Sequence, residues 1–371
     1  MAAAMDTILG QTRAIDQLLA ALASGRLHHA YIFHGPAGVG KCTTARAFAA
    51  VLLCHDPVTD LAGRVAACGA CASCRAIEAG THPDLHVIVK ELALYSDDSD
   101  TRRRKLMNIP VNVIRDALID PVTRASRLSH GKVFIVDEAE LMAKEGQNAL
   151  LKTLEEPPTG TYIILVTSNE DRLLVTVRSR CQRIAFTPLD DAMVDAWLRE
   201  HHAEVDDAER QWLVTFAGGS LGRAALAIEY RLFDWAKRVL PAFDHMEQGR
   251  YPVGLGQAMH GMTQDFAEAW VKQHDNASKD AANKLAASLM WTVITQHARG
   301  RLARIAAECD PADPIAGEAR LRPWTGVIDA VARVETEIAS NVNPGLAADH
   351  LVSLIHRALR GRAEPMPTRA G

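Results

Sequence analysis

The sequence predicts an α/β domain with a parallel sheet, followed by two helical domains. Four short apolar runs have the length and side-chain content of buried strands; they lie at residues 30–34, 85–89, 132–136 and 162–166. Stretches with helical apolar spacing alternate with them, at residues 14–23, 41–53, 111–118 and 145–154. Because parallel strands need long crossover connections, this alternation is typical of a parallel sheet covered by helices on both faces.

Strand patterns end near residue 189, and only helical periods follow. They lie at residues 191–201, 206–217 and 222–230, then in longer stretches that include 265–295, and last near 347–360. We therefore expect three domains: an α/β domain over residues 1–187 with an insertion at about 54–82, a small helical domain over 188–246, and an all-α domain over 247–371.

Composition narrows the class of protein. The 371 residues are 48% hydrophobic and 23% charged, which is ordinary for a soluble chain with more than one buried core. A formal charge of −4 argues against an autonomous nucleic-acid binder, so any contact with DNA is expected to be local or shared with partners. No apolar run is long enough to span a bilayer and the N-terminus lacks a signal-peptide pattern, so we expect a cytoplasmic protein without a membrane partner.

A glycine-rich loop, residues 35–42, directly follows the first predicted strand and opens a predicted helix. Its residues Gly35, Gly40 and Lys41 fit the phosphate-binding pattern G-x-x-x-x-G-K-[ST] except at the last position. Glycines let backbone N–H groups converge on phosphate oxygens, and the lysine meets the β- and γ-phosphates. The expected nucleotide contacts in this loop are Gly35, Pro36, Gly38, Gly40, Lys41, Cys42 and Thr43.

Cys42 stands where the pattern has a hydroxyl. Mg²⁺ is a hard ion that prefers oxygen ligands, and a thiol serves it poorly. Thr43 is one residue further along the helix, turned by about 100°, so we do not expect it to replace the missing ligand. The loop therefore predicts ATP and Mg²⁺ binding as a possible cofactor role, with hydrolysis by this chain weak or absent.

Two acidic residues, Asp137 and Glu138, directly follow the third predicted strand. The carboxyl end of that strand lies at the sheet edge that carries the glycine loop. Asp137 is then expected to hold Mg²⁺ through water and Glu138 to polarise the attacking water. The alternative is a strand that merely ends in solvated acids.

A group of cysteines with short spacing lies in the expected insertion. Three of them recur at three-residue intervals and one lies upstream: Cys68, Cys71, Cys74 and Cys54. Thiolates at this spacing fit a tetrahedral structural Zn²⁺, which would stabilise a segment with little core of its own. Unpaired surface thiols are the alternative, and the fourth ligand stays open among Cys54, His55 and His82.

Longer motifs resemble a known family. They lie at residues 28–35, 82–85, 148–158 and 178–181. Together they resemble the clamp-loader branch of the AAA+ ATPases, and within it the delta-prime family of bacterial DNA polymerase III, over about residues 8–230. The resemblance implies an AAA+ domain, a lid domain and a C-terminal collar.

The resemblance also implies a function and partners. These are membership of a five-subunit ring with tau/gamma and delta subunits, loading of the sliding clamp on primer–template DNA, and a place in the nucleoid-associated replisome of a bacterium. Arg180 corresponds to an arginine finger given in trans to a neighbour's nucleotide. Ser168 and Arg223 correspond to the first and second nucleotide sensors. A surface arginine, a strand-end serine and a solvated helix-start arginine are the respective alternatives.

Two segments depart from the family pattern. The interval from Cys54 to Cys68 is longer than usual, which predicts a small insertion. Residues 97–105, with adjoining acidic and basic blocks, also read as inserted. A solvated loop and a contact with the DNA backbone are the two interpretations of the second segment.

Two functions remain open from the sequence. The first is a stator, a ring member that donates Arg180 and hydrolyses little ATP itself. The second is a tau/gamma-type motor that hydrolyses ATP at its own site. Cys42 and the expected lack of a long polymerase-tethering extension favour the stator, whereas Lys41, Asp137 and Glu138 favour the motor.

Overall fold

A computed structural model describes residues 5–60, 63–95, 108–274, 278–310, 312–339 and 342–360. The chain forms two compact units, Met1–Ala225 and Leu226–Gly371. The finer division predicted at residues 187 and 246 stays a prediction. The charged segment 97–105 lies outside the described residues.

The first unit contains a five-stranded parallel sheet and a small antiparallel hairpin. The strands are β1 (Ala30–His34), β2 (Val58–Thr59), β3 (Val65–Ala66), β4 (Leu85–Ile88), β5 (Lys132–Val136), β6 (Thr161–Thr167) and β7 (Gln182–Ala185). The sheet order is β4-β5-β6-β1-β7, and β2 pairs with β3. The strand that leads into the glycine loop therefore lies between β6 and β7, with β5 one strand further away. The α/β fold class expected from the sequence is confirmed.

Helices follow the strands in the order that a parallel sheet requires. They are α1 (Thr12–Ser24), α2 (Lys41–Leu53), α3 (Ala72–Glu78), α4 (Val111–Ile114), α5 (Asp120–Val122), α6 (Lys144–Glu155), α7 (Val175–Arg178), α8 (Asp191–His201), α9 (Asp207–Ala217) and α10 (Leu221–Glu229). Every residue of β5 is buried, as are most of β1 and β6. This burial explains their continuous apolar sequences, because a central parallel strand is covered on both faces.

The second unit is helical throughout its described residues. Its helices are α11 (Leu232–Val239), α12 (Pro241–Glu247), α13 (Leu255–Gln273), α14 (Lys279–Glu308), α15 (Pro314–Ala339) and α16 (Pro344–Leu359). Trp324 and Phe243 are fully buried in it, and the indole N–H of Trp324 donates to Glu247 over 3.0 Å. No described helix combines the length and the apolar character that crossing a bilayer requires.

Three local predictions differ from the structure. The fifth strand, β7, was missed because Ile184 is its one buried residue and no apolar run marks it. The hairpin of β2 and β3 was missed because each of its strands has two residues. The prediction of one helix over residues 265–295 was wrong: α13 ends at Gln273, and Ser278 caps a new helix by accepting from the N–H of Ala281.

Candidate nucleotide site and cysteine cluster

The glycine loop joins β1 to α2 in a conformation that needs its glycines. Gly35, Gly38 and Gly40 have φ angles of 137°, 74° and 98°, in the region that residues with a side chain rarely adopt. A Cβ at Gly38 would collide with the side chain of Ser220, where the start of α10 passes over the loop. The N–H of Gly222 donates to the carbonyl of Gly38 over 3.0 Å, so the loop and this helix approach each other closely.

Lys41 is the first residue of α2 and is buried, with 6% of its surface exposed. Its ammonium group donates to the carbonyl oxygens of Gly35 and Pro36, over 2.7 Å and 2.5 Å. Burial lowers the pKa of Lys41, while the nearby carboxylates of Glu140 and Asp137 act in the opposite direction. The lysine is thus curled over its own loop, at the place where the sequence predicts phosphate.

Cys42 is half-buried one residue further and faces Asp137. Burial raises the pKa of its thiol and the charge of Asp137 adds to this effect, whereas a hydrogen bond with Arg46 acts in the opposite direction; the thiol also shares a hydrogen bond with Asp137. The thiol therefore stays protonated. A neutral thiol is a poor ligand for Mg²⁺. A magnesium ion beside Asp137 would therefore lack the hydroxyl oxygen that the motif usually supplies at this position. Thr43 lines the same cavity and is exposed.

Glu138 follows in a left-handed backbone conformation, with φ of 49°, which is uncommon for a residue with a side chain. Its carboxylate accepts a hydrogen bond from the ammonium of Lys90 over 2.7 Å. Both predicted acids thus lie at the carboxyl end of β5. Glu138 is thus paired with a cation of the same chain, in a contact that is partly exposed.

Ser168, the expected first sensor, lies just after β6 and contacts a residue that the sequence analysis missed. Its backbone N–H donates to Oε1 of Glu140 over 3.1 Å, and its hydroxyl donates to the same oxygen. The second oxygen, Oε2, is buried and has no hydrogen-bond partner among the described residues. A signal for Glu140 existed, because a third acid follows Asp137 and Glu138 within two residues.

These groups line one cavity of about 700 Å³, which is within the range for nucleotide-sized ligands. The lining includes loop residues 37–42 with Asp137, Glu138, Glu140 and Ser168, whereas the predicted contacts Gly35 and Pro36 do not line the cavity. The lining also includes residues with no nucleotide-binding pattern in the sequence: Thr7, Ile8, Leu9, Trp197, Glu200, His201, Leu221 and Gly222. They come from the N-terminal segment, α8 and α10, and only folding brings them to the loop.

Arg223, the expected second sensor, lies in the first turn of α10. Its backbone N–H donates to the hydroxyl of Ser220 over 3.1 Å. The neighbouring Gly222 lines the cavity and touches Gly38. Arg223 itself does not line the cavity. Its backbone lies close to Gly38 of the loop, although about 185 residues of sequence separate the two.

Arg180 does not line this cavity. It follows α7 on the surface, where its guanidinium pairs with the carboxylate of Glu155 and donates to the carbonyl of Thr176 over 2.9 Å. The next residue, Cys181, is partly buried against the hydrophobic core, and desolvation there raises the pKa of its thiol to about 12. The thiol of Cys181 packs against the core, whereas the side chain of Arg180 is 34% exposed.

The four predicted cysteines come together around one point. One sulfur atom from each of Cys54, Cys68, Cys71 and Cys74 lies within 4.8 Å of the other three. The sulfur of Cys54 is 3.9 Å from that of Cys71 and 3.6 Å from that of Cys74, and the sulfur atoms of Cys68 and Cys74 are 4.0 Å apart. Tetrahedral zinc with sulfur at 2.3 Å requires separations of about 3.8 Å, so the four residues fit a metal ion.

Electrostatics support the same interpretation. Backbone N–H groups donate to three of the sulfur atoms: that of Cys68 to Cys54, that of Cys71 to Cys68 and that of Cys74 to Cys71. Burial and the nearby sulfurs of Cys71 and Cys54 raise the pKa of Cys74 to about 12. Four thiolates so close together repel one another unless a cation lies between them.

Neither histidine considered as a fourth ligand belongs to this cluster. His82 is buried: its Nε2 lies 2.9 Å and 3.1 Å from the hydroxyls of Ser73 and Ser129, and its Nδ1 accepts from the N–H of Asp84. Nε2 of His55 donates to the carbonyl of Leu128 over 2.9 Å. Cys54 is therefore the residue that completes the set of four.

Sequence comparison finds a family model that matches part of this chain. Residues 10–190 match the model of the family described as DNA polymerase III, delta subunit. The delta-prime subunits of Pseudomonas aeruginosa and Escherichia coli are 36% and 32% identical to this chain over 193 and 213 residues. The predicted resemblance to the delta-prime family is confirmed. These alignments cover 52% and 57% of this chain and 53% and 58% of the two relatives.

The tau/gamma subunits are relatives as well. The tau subunit of Escherichia coli is 32% identical over 330 residues, which are 85% of this chain and 46% of tau. The chain thus spans about half the length of the curated relatives it matches. A gamma-subunit-related structure from Thermotoga maritima aligns with a TM-score of 0.42 and 14% identity, over 93% of this chain and 99% of that one.

Proposed function

We propose that this chain is a clamp-loader subunit of bacterial DNA polymerase III and acts as a stator. It helps to load the sliding clamp on primer–template DNA within a five-membered ring that contains tau/gamma and delta subunits. The similarity to delta-prime subunits supports membership of this complex. The single observation that carries the stator role is the outward-facing Arg180, which lies outside the chain's own nucleotide cavity.

In this role Arg180 stabilises charge on the γ-phosphate of a nucleotide that a neighbouring subunit holds. A guanidinium suits this task because it stays charged and binds phosphate oxygens with fixed geometry. Its present partner, Glu155, is half-exposed. Exchange of an exposed ion pair for a phosphate costs little, since such pairs contribute about 1 kcal/mol or less.

The alternative is a tau/gamma-type motor with its own ATPase activity. Two observations favour it: the loop, Lys41, Asp137 and Glu138 line a cavity that fits a nucleotide, and the alignment with tau covers more of this chain than those with delta-prime subunits. Against it stand the protonated thiol of Cys42 and the engagement of Glu138 by Lys90. ATP with Mg²⁺ is thus proposed as a ligand of this chain, and hydrolysis as slow or absent.

We also propose that Cys54, Cys68, Cys71 and Cys74 hold one structural Zn²⁺. The separations of their sulfur atoms support zinc. The ion would stabilise the segment around β2, β3 and α3, whose two-residue strands supply little core.

The stator role is tested by Arg180→Ala in the complex reconstituted with tau/gamma and delta subunits. We expect assembly to persist and the DNA-stimulated ATPase to fall, by about 10³-fold at the lower end of the range for arginine fingers. Arg178→Ala is the matched control, since it removes an equal charge two residues away, from an ion pair with Asp171. An unchanged ATPase in Arg180→Ala, or an equal loss in both variants, would contradict the trans role.

A further inference from the structure

The cavity beside the glycine loop carries more negative charge than a triphosphate-binding site needs. Among the described residues that line it, Lys41 is the one lysine or arginine, whereas four lining residues are acidic: Asp137, Glu138, Glu140 and Glu200. Lys90 neutralises Glu138 from outside the lining. Glu140 has no such cation paired with it among the described residues.

Glu140 also occupies the donors of the sensor residue. A serine has one hydroxyl hydrogen and one backbone N–H to give, and Ser168 gives both to Oε1 of Glu140. A γ-phosphate at this sensor would need those same donors, because phosphate oxygens only accept. In their place it meets a carboxylate, which also only accepts.

The second carboxylate oxygen of Glu140 adds to the repulsion that a γ-phosphate would meet. Oε2 is buried and has no hydrogen-bond partner in the described part of the chain, so water does not screen its charge well. Glu140 lies close enough to Lys41 to be the largest charge acting on that ammonium. The carboxylate therefore acts on the phosphates that Lys41 would hold, and most strongly on the terminal one.

From these contacts we infer that Glu140 makes this cavity selective for a nucleoside diphosphate over the corresponding triphosphate. The inference rests on the proposed binding of a nucleotide here. The glycine loop and Lys41 can hold a β-phosphate without approaching Ser168. A γ-phosphate must displace the bonds between Ser168 and Glu140 and then lie against a carboxylate that competes with it for the charge of Lys41. Contact between like charges disfavours the triphosphate.

Equilibrium binding of ADP and of a non-hydrolysable ATP analogue, each with saturating Mg²⁺, tests the inference by calorimetry. We expect the wild-type chain to bind ADP at least ~10-fold more tightly than the analogue. Glu140→Gln keeps the shape and removes the charge, so it should bring the two affinities within about threefold of each other by strengthening analogue binding. Glu145→Gln removes an equal charge from the exposed start of α6, outside the cavity, and should leave the ratio unchanged.

Three outcomes would overturn the inference: equal wild-type affinities, an equal effect of Glu140→Gln on both nucleotides, or no binding of either nucleotide to the folded chain. None of them bears on the stator role, because the Arg180 experiment measures hydrolysis at a neighbour's site. Conversely, a selective cavity in a chain whose Arg180→Ala variant is fully active would retain this inference and remove the stator proposal.

Discussion

A single atom at position 42 decides what the glycine loop can do. The thiol of Cys42 is protonated and hydrogen-bonded to Asp137, where a hydroxyl would offer Mg²⁺ an oxygen. The change leaves intact the backbone N–H groups and Lys41, which are the groups proposed to hold phosphate. Binding and hydrolysis are thus separable at the scale of one residue.

Cys42→Ser should therefore raise the basal ATP turnover of the isolated chain. Serine replaces the thiol by a hydroxyl of nearly the same shape, and we expect an increase of about tenfold, which corresponds to about 1.4 kcal/mol of barrier. Steady-state phosphate release with Mg²⁺ measures it. Cys42→Ala is the control, since it removes the thiol without adding an oxygen. Fast Mg²⁺-dependent turnover by the wild type would instead favour the motor.

At the scale of secondary-structure elements, the loop that leads into β5 is held by one buried carboxylate, that of Asp84. Asp84, with 2% of its surface exposed, accepts from the N–H groups of Arg127, Leu128 and Ser129 over 2.7 to 2.8 Å. Burial alone would raise the pKa of Asp84, but these three hydrogen bonds outweigh it and lower the pKa. The carboxylate thereby fixes the loop that leads into the strand carrying Asp137.

Asp84→Ala should lower the free energy of unfolding by about 3 kcal/mol at neutral pH, because three buried donors lose their acceptor. Since folding lowers this pKa, the stabilisation is present above the ordinary carboxyl pKa of about 3.9 and is lost as the pH falls through the folded-state value. Urea unfolding at several pH values checks both points. The exposed Asp116→Asn serves as control; a similar loss there, or none in Asp84→Ala, would refute this account.

We expect the cysteine cluster to stabilise the segment around α3. Metal analysis of the purified chain should find about one zinc per chain. Cys74→Ser should lose the zinc and become more sensitive to proteolysis between residues 54 and 82, because its buried thiol is one of the four proposed ligands. Cys309→Ser, in the second unit, should retain it. A metal-free wild type that is stably folded would remove the zinc assignment.

At the scale of the whole molecule, the net charge and the similarity to known subunits together favour a component of a complex over an enzyme that acts alone. The formal charge of −4 gives no general affinity for DNA. Arg180 lies on the surface, outside the cavity that would supply its chemistry within one chain. We therefore expect this chain to reach DNA and triphosphate chemistry through partners, which agrees with its relatives being subunits of DNA polymerase III.

Local sequence was sufficient for the central strands, the glycine loop and the three regularly spaced cysteines. Buried parallel strands need continuous apolar runs, a phosphate-binding loop needs glycines at fixed spacing, and metal ligation needs repeated thiols. Each of these patterns occupies only a few consecutive residues, so it can be recognised from the sequence alone. The resemblance to delta-prime subunits followed from such motifs as well.

Tertiary structure alone decided the rest, because those contacts join residues far apart in the chain. The pairing of Glu140 with Ser168, the engagement of Glu138 by Lys90 and the choice of Cys54 over His82 all depend on the meeting of separate elements. Charge acts through space with a strength that burial controls. The sequence therefore determined that a phosphate could be held here, while the fold determined which charges that phosphate would meet.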